Sequence, residues 1–226
     1  MREMKRVAAL LVALVAASPL TAQTILPHPD PASVEREGVN KGDSARRTMD
    51  AYAKCMLGRR RALVFEALAL PSGSMEQGNA LGKLVGSECI ASGELRFNAP
   101  AFLGSFYTSL VRAQFARKAP SFGPEPVDYT KQPIAGADSP LVPPNAELLN
   151  FASCVIHKDA VNARDAIVAA AGSPKEVAAT NELAKVYGQC LYADQEFRFS
   201  KGSLIGLLAE AYYREGTASA QRSGAP

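Results

Sequence analysis

The chain has 226 residues, enough for one medium domain or two small ones. Hydrophobic residues make up 47% and charged residues 21%, which excludes a wholly disordered chain. Net charge is +3, and taking Arg2, Lys5, Arg6 and Glu3 away with the first 22 residues leaves 22 basic against 21 acidic side chains. So small an excess argues against a nucleic-acid binder.

The N-terminus reads as a secretory signal. A cationic start (Met1 to Arg6) leads into an apolar run, Val7 to Ala17, and a short exit of small residues. As a helix that run spans about 16 Å, roughly half a bilayer core, so it is too short for a stable anchor. Cleavage is expected after Ala22, which sends the mature chain to the periplasm or outside the cell. No transmembrane anchor is expected in the mature chain, and no cysteine follows the apolar run to take a lipid. Residues 23–43 read as a flexible arm, rich in proline, glycine and charge.

Cys55, Cys89, Cys154 and Cys190 then acquire a meaning, because an even number of cysteines in an exported chain points to disulfides. They form no CxxC or CxxCH string and have no histidine at ligand spacing. Thioredoxin-like redox chemistry, covalent haem and a zinc cluster are therefore disfavoured, and no cofactor or metal is expected.

The same cysteines suggest an internal repeat. A shift of 99 residues lays Tyr52-Ala53-Lys54-Cys55 over Phe151-Ala152-Ser153-Cys154. A shift of 102 lays Glu94-Leu95-Arg96-Phe97 over Glu196-Phe197-Arg198-Phe199, Gly104 over Gly206 and Arg112 over Arg214. Two copies of one unit are read, 44–117 and 145–216. Seven prolines crowd residues 118–144, which are expected to form an extended linker lying along the surface. Residues 217–226 are expected to be a disordered tail.

Helical periodicity dominates each copy. The first is expected to hold helices near 44–57, 60–70, 74–89 and 100–117, broken at Pro71-Ser72-Gly73. In the second, stripes run through Leu148, Ala152, Val155 and Ile156, through Leu183, Val186, Tyr187, Cys190 and Leu191, and through Leu204, Leu207, Leu208, Ala211 and Tyr212. Val161 to Ala171 is alanine-rich and stops at Gly172, and Ser173 with Pro174 supplies an N-cap and a first helical residue. The expected fold is all-α: two tandem repeats of a small four-helix unit, each stapled by a disulfide, joined by the proline-rich linker. Four cysteines allow three connectivities. Recurrence of the pair within each copy favours Cys55–Cys89 with Cys154–Cys190, and bridges between copies or free thiols are the alternatives.

Little in the chain reads as chemistry. His157 is the one histidine inside an expected domain, and it reads as a surface residue near a helix C-terminus. No GxSxG, HExxH, SxxK, Walker or GxGxxG string is present, so no catalytic or cofactor-binding residue is nominated. The repeated string could make paired anion sites at Arg96 and Arg198. A structural role for Glu94, Arg96, Phe97, Glu196, Arg198 and Phe199 is preferred, because each copy must solve the same packing problem. Arg112 and Arg214 read as complements of helix dipoles. Arg59, Arg60 and Arg61 could touch an anionic envelope component, although three adjacent cations usually form a solvated turn.

The order cysteine, apolar helix, cysteine, E-Φ-R-F and a helix ending Gly206-Leu207-Leu208-Ala209-Glu210-Ala211-Tyr212-Tyr213-Arg214 resembles uncharacterised exported helical-repeat proteins of Gram-negative bacteria. The resemblance covers both copies through loose motifs and implies no activity. The leading functional expectation is a non-catalytic module, chaperone-like or otherwise, that binds an envelope protein or component. A carrier of a small molecule or lipid, held in a cavity between helices, is the alternative, and a hydrolase stands behind both.

Overall fold

Short apolar stripes separated by capping residues give eight α-helices among the described residues. The computed structural model describes residues 41–90, 98–131, 143–191 and 199–222. In chain order the helices are α1 Lys41–Arg59, α2 Arg61–Ala69, α3 Met75–Gly82, α4 Ala99–Phe115, α5 Pro143–Lys158, α6 Ala160–Val168, α7 Pro174–Tyr187 and α8 Lys201–Arg222, with a 3₁₀ turn at Ser87–Cys89 between α3 and α4. No strand occurs among the described residues. The signal region, Glu94, Arg96, Phe97, Glu196 and Arg198 lie outside them.

The helix starts follow side-chain chemistry. Ser74 and Ser173 accept from the backbone N–H groups of Gln77 and Glu176, and Asn98 and Ser200 do the same for Ala101 and Ser203. Each such cap is worth roughly 1 kcal/mol. Gly73 and Gly172, one residue before two of these caps, sit at φ of 79° and 73°, where other residues are strained. The third helix was expected to reach residue 89 but ends at Gly82. The Tyr52 hydroxyl takes over from there, lying 2.8 Å from the Leu84 carbonyl oxygen and accepting from the Gly86 N–H at 3.0 Å. That hold turns the chain so that Cys89 arrives at Cys55.

α4 and α8 cross at the centre and form the largest helix–helix contact. They meet at Gly104 and Gly206, where a Cβ on Gly104 would stand 2.6 Å from the Cα of Gly206. Phe102, Phe106 and Tyr107 of α4 share one apolar cluster with Leu204, Leu208 and Tyr212 of α8. Val64 and Leu81 from the first half and Val155, Ile156 and Ile167 from the second belong to the same cluster. The described residues fall within a single compact unit.

One expectation for the connecting segments changes, that for the tail. The part of the proline-rich linker that is described lies against the bundle. Tyr129 is buried there, its N–H held by Asn150, and the Val127 N–H is held by Ser153. The tail expected to be disordered from 217 continues α8 to Arg222. Gly216 permits this, because a Cβ there would lie 2.8 Å from Pro120 and 3.0 Å from Phe115. Beyond it, Thr217 returns its hydroxyl to the Tyr213 carbonyl.

Candidate functional site

Disulfides join Cys55 to Cys89 and Cys154 to Cys190, and no described cysteine is free. Each ties the helix that opens one half to the turn that follows that half's third helix. Phe199 of the second E-Φ-R-F string is half-buried and stacked on Phe151 at 5.9 Å. In the arginine run, Arg60 pairs with Glu88 at 2.6 Å and Arg61 lies over the Phe65 ring at 4.8 Å. Two of the three cations thus have partners within the chain.

Arg112 and Arg214 do more than complement the dipoles of their own helices, because each reaches carbonyls at the C-terminal end of a helix in the other half. Arg112 reaches off α4 to the carbonyls of Ile167 and Ala169, at 3.0 and 2.7 Å, and pairs with Asp50. Arg214 lies well inside α8, where its guanidinium binds Glu210 and lies over the Tyr107 ring at 5.3 Å. Burial alone would lower the Arg214 guanidinium, yet Tyr107 and Glu210 beside it hold it above its ordinary value. Both arginines tie the two sequence halves together.

A cavity of about 460 Å³ opens beside the α4–α8 crossing, walled by α3, α4, α5 and α8. Leu81, Leu103, Leu148, Leu149, Phe199 and Leu207 give it a mainly apolar lining. Ser72, Asn145 and Glu210 make its polar end. Glu210 is only 5% exposed, and its Oε1 accepts from the Ser72 hydroxyl and from Arg214 Nε and Nη2 at 3.0 and 2.9 Å. None of these bonds uses Oε2. Asn145 donates to the Ser72 carbonyl at 2.7 Å, and only a glycine at position 73 allows so close an approach, since a Cβ would fall 1.6 Å from the Asn145 amide nitrogen. Gln77 is consumed by the same loop, accepting from the Gly73 N–H and donating to the carbonyls of Ala67 and Leu70.

A second space lined by Gly104 and Gly206 is nearly closed, at about 40 Å³. Arg46 fills it, bonded to Glu176 and to Asp43 at 3.0 Å, with its Cδ where a Cβ of Gly202 would be 3.1 Å away. Glu176 is fully buried and also accepts from the Gly172 N–H at 2.8 Å. Burial pushes its carboxyl up, but Arg46, the Gly172 N–H and Lys201 overcome this and leave it below its ordinary value. For nearby Asp50, burial wins over Arg112 and the carboxyl is raised.

His157 is not a surface residue. Its side chain is 11% exposed, lies 2.8 Å from Glu215 and faces the Phe122 ring. Tyr129 donates to the other Glu215 oxygen at 3.3 Å. Burial, then the Glu215 charge, pushes the Tyr129 phenol well up, so it stays protonated and able to donate. Among the described residues no serine or cysteine is hydrogen-bonded to His157, so the cluster offers no activated nucleophile and instead fastens residues 122–129 to the bundle. No described group of three histidine, cysteine or carboxylate side chains could hold a metal.

Sequence reasoning missed the polar end of the cavity. Its signal was Glu210, a carboxylate inside the otherwise apolar stretch 204–213 of α8. No protein-family model, curated protein or solved structure matches the chain.

Proposed function

We propose that this chain is an exported, non-catalytic carrier, built of two diverged copies of one helical unit, that takes a small and mainly apolar molecule into the cavity beside the α4–α8 crossing. The carrying observation is the cavity itself. Its 460 Å³ falls within the span of small-molecule sites, its wall is mostly leucine, and a few polar groups converge at one end. Each methylene sheltered there would contribute about 0.8 kcal/mol.

Export is supported by the N-terminal pattern and by two disulfides, which persist in oxidising compartments. No described helix is long and apolar enough to cross a membrane. Duplication is supported by matched detail. Gly73 and Gly172 share the same positive φ, and Ser74 and Ser173 cap in the same way. Gln77 and Glu176 each accept from the glycine four residues before. Arg112 binds the carbonyl of Ile167, and Arg214 binds that of Leu68, residues 99 apart in the chain. On this reading the copies trade equivalent contacts across the glycine crossing.

Titration with Nile red, a neutral apolar dye, tests the carrier reading. Saturable binding near one dye per chain is expected. Gly78 lines the cavity and has open space around its would-be Cβ, so Gly78→Phe should fill the site and abolish binding without unfolding the protein. Dye that binds without saturation, or equally to a folded Gly78→Phe protein, refutes the proposal.

A further inference from the structure

Accepting the cavity as a ligand site, we infer that its occupant ends in a hydrogen-bond donor, an amine or a hydroxyl, and that carboxylate or phosphate amphiphiles are rejected. Glu210 is the one charged residue among the described residues that line the cavity. Its neutralising partner, Arg214, is not in the wall. The guanidinium lies behind the carboxylate, engaged with Oε1, the Leu68 carbonyl and the Tyr107 ring. A molecule entering from the open side therefore meets a carboxylate and not a cation.

The hydrogen bonds of Glu210, Ser72 and Gln77 point the same way. Oε1 takes three donors, from Ser72 and Arg214, and Oε2 takes none of them. Ser72 has spent its one hydroxyl hydrogen on Glu210, and both hydrogens of the Gln77 amide go to backbone carbonyls. A carboxylate oxygen on a side chain this buried is a strong acceptor. A donor placed against it makes a charge-assisted bond, whereas an anion is repelled and must also shed its own water. The apolar wall from Leu81 to Leu207 supplies affinity for a chain, and Glu210 supplies the choice of head.

The test is displacement of Nile red from the intact protein by three eight-carbon molecules that differ only in the head: 1-octylamine, 1-octanol and octanoate. The amine and the alcohol are each expected to displace dye at concentrations at least tenfold below octanoate. An amine stronger than the alcohol assigns the preference to the charge of Glu210, and the two being equal assigns it to donation alone. Either result supports the inference. Octanoate matching or exceeding them overturns it, as does failure of all three, while the carrier reading survives so long as the dye itself binds saturably. In Glu210→Gln the ratio of amine to octanoate potency should fall by tenfold or more, and an unchanged ratio also overturns the inference. That variant risks misfolding because it leaves Arg214 buried without its counter-charge, so the three-ligand comparison on the wild-type protein stands as a decisive measurement by itself.

Discussion

Replacing Gly104 by alanine puts one methyl group at the point where α4 and α8 meet. Its carbon would lie 2.6 Å from the Cα of Gly206 and 3.4 Å from its carbonyl carbon. Carbon atoms pack at about 3.5–4.0 Å, so the helices must part by about 1 Å. No side-chain rotation can relieve the contact, because the atoms struck are backbone. Overpacking of this kind costs about 1–3 kcal/mol, and the upper end applies where nothing can give way. Against it stands the better helix propensity of alanine, about 1 kcal/mol. The net loss is then about 2 kcal/mol, or about 1 M in urea midpoint for a typical m-value. Equilibrium unfolding in urea, followed by far-UV circular dichroism, reads this directly. Gly58→Ala is the control: nothing lies within 4 Å of a Cβ there, so it should be stabilising by about 0.5–1 kcal/mol. If Gly104→Ala is as stable as the parent, or gains as Gly58→Ala does, the close crossing is not what joins the halves.

Two further outcomes follow from the staples and the closed cleft. Replacing either cysteine pair by alanine should cost about 4 kcal/mol by loop-closure entropy, nearly the same for both because the bridged positions are 34 and 36 residues apart. Urea midpoints that ignore a reductant able to open both bridges would contradict this. Glu176 gives a pH dependence. Its folded carboxyl sits below the ordinary value, so its contribution is complete above about pH 4.3 and is lost as pH falls through the depressed value. Glu176→Gln should therefore cost about 2 kcal/mol at pH 7, less than a typical broken buried pair because Arg46 keeps Asp43 and is 19% exposed, and progressively less below pH 4. A penalty that stays constant down to pH 3 would refute the assignment.

Features written in short stretches of chain were readable in advance. Ser173 before Pro174 announces the start of α7, and glycines at 73 and 172 announce turns, because each acts on backbone within a few residues. Four cysteines, an even number, announced disulfides. What could not be read were contacts between residues far apart. The third helix stops early because Tyr52, some thirty residues back, takes up Leu84 and Gly86. His157 looked exposed until Glu215 and Phe122 arrived from distant segments to cover it. Arg112 and Arg214 suited a helix-dipole reading, and only the fold shows that their targets are carbonyls of the opposite half. The tail was misjudged for a related reason. Its polar, glycine-containing composition says nothing of Phe115 and Pro120, against which Gly216 is pressed.

If the proposed duplication holds, the two spaces at the crossing account for one proposed ligand site and not two. The 99-residue shift sets Arg46 opposite Asn145 and Glu176 opposite Gln77. Arg46 and Glu176 are long and oppositely charged, so they pair, and Arg46 takes up most of the space between α1, α4 and α8. Asn145 and Gln77 carry no charge, and each turns back onto the loop at Gly73, which leaves the corresponding space empty. The same shift puts Leu148 and Leu149 where the closed side has Met49 and Asp50, so the open side keeps an apolar wall while the closed side gains an ion pair with Arg112. Closing one side with charges would stiffen the crossing, and the other side could then stay hollow without the helices collapsing into it. On this account the ionic cluster around Glu176 and the leucine cavity above Glu210 are complementary products of divergence, and loosening the first should enlarge or blur the second.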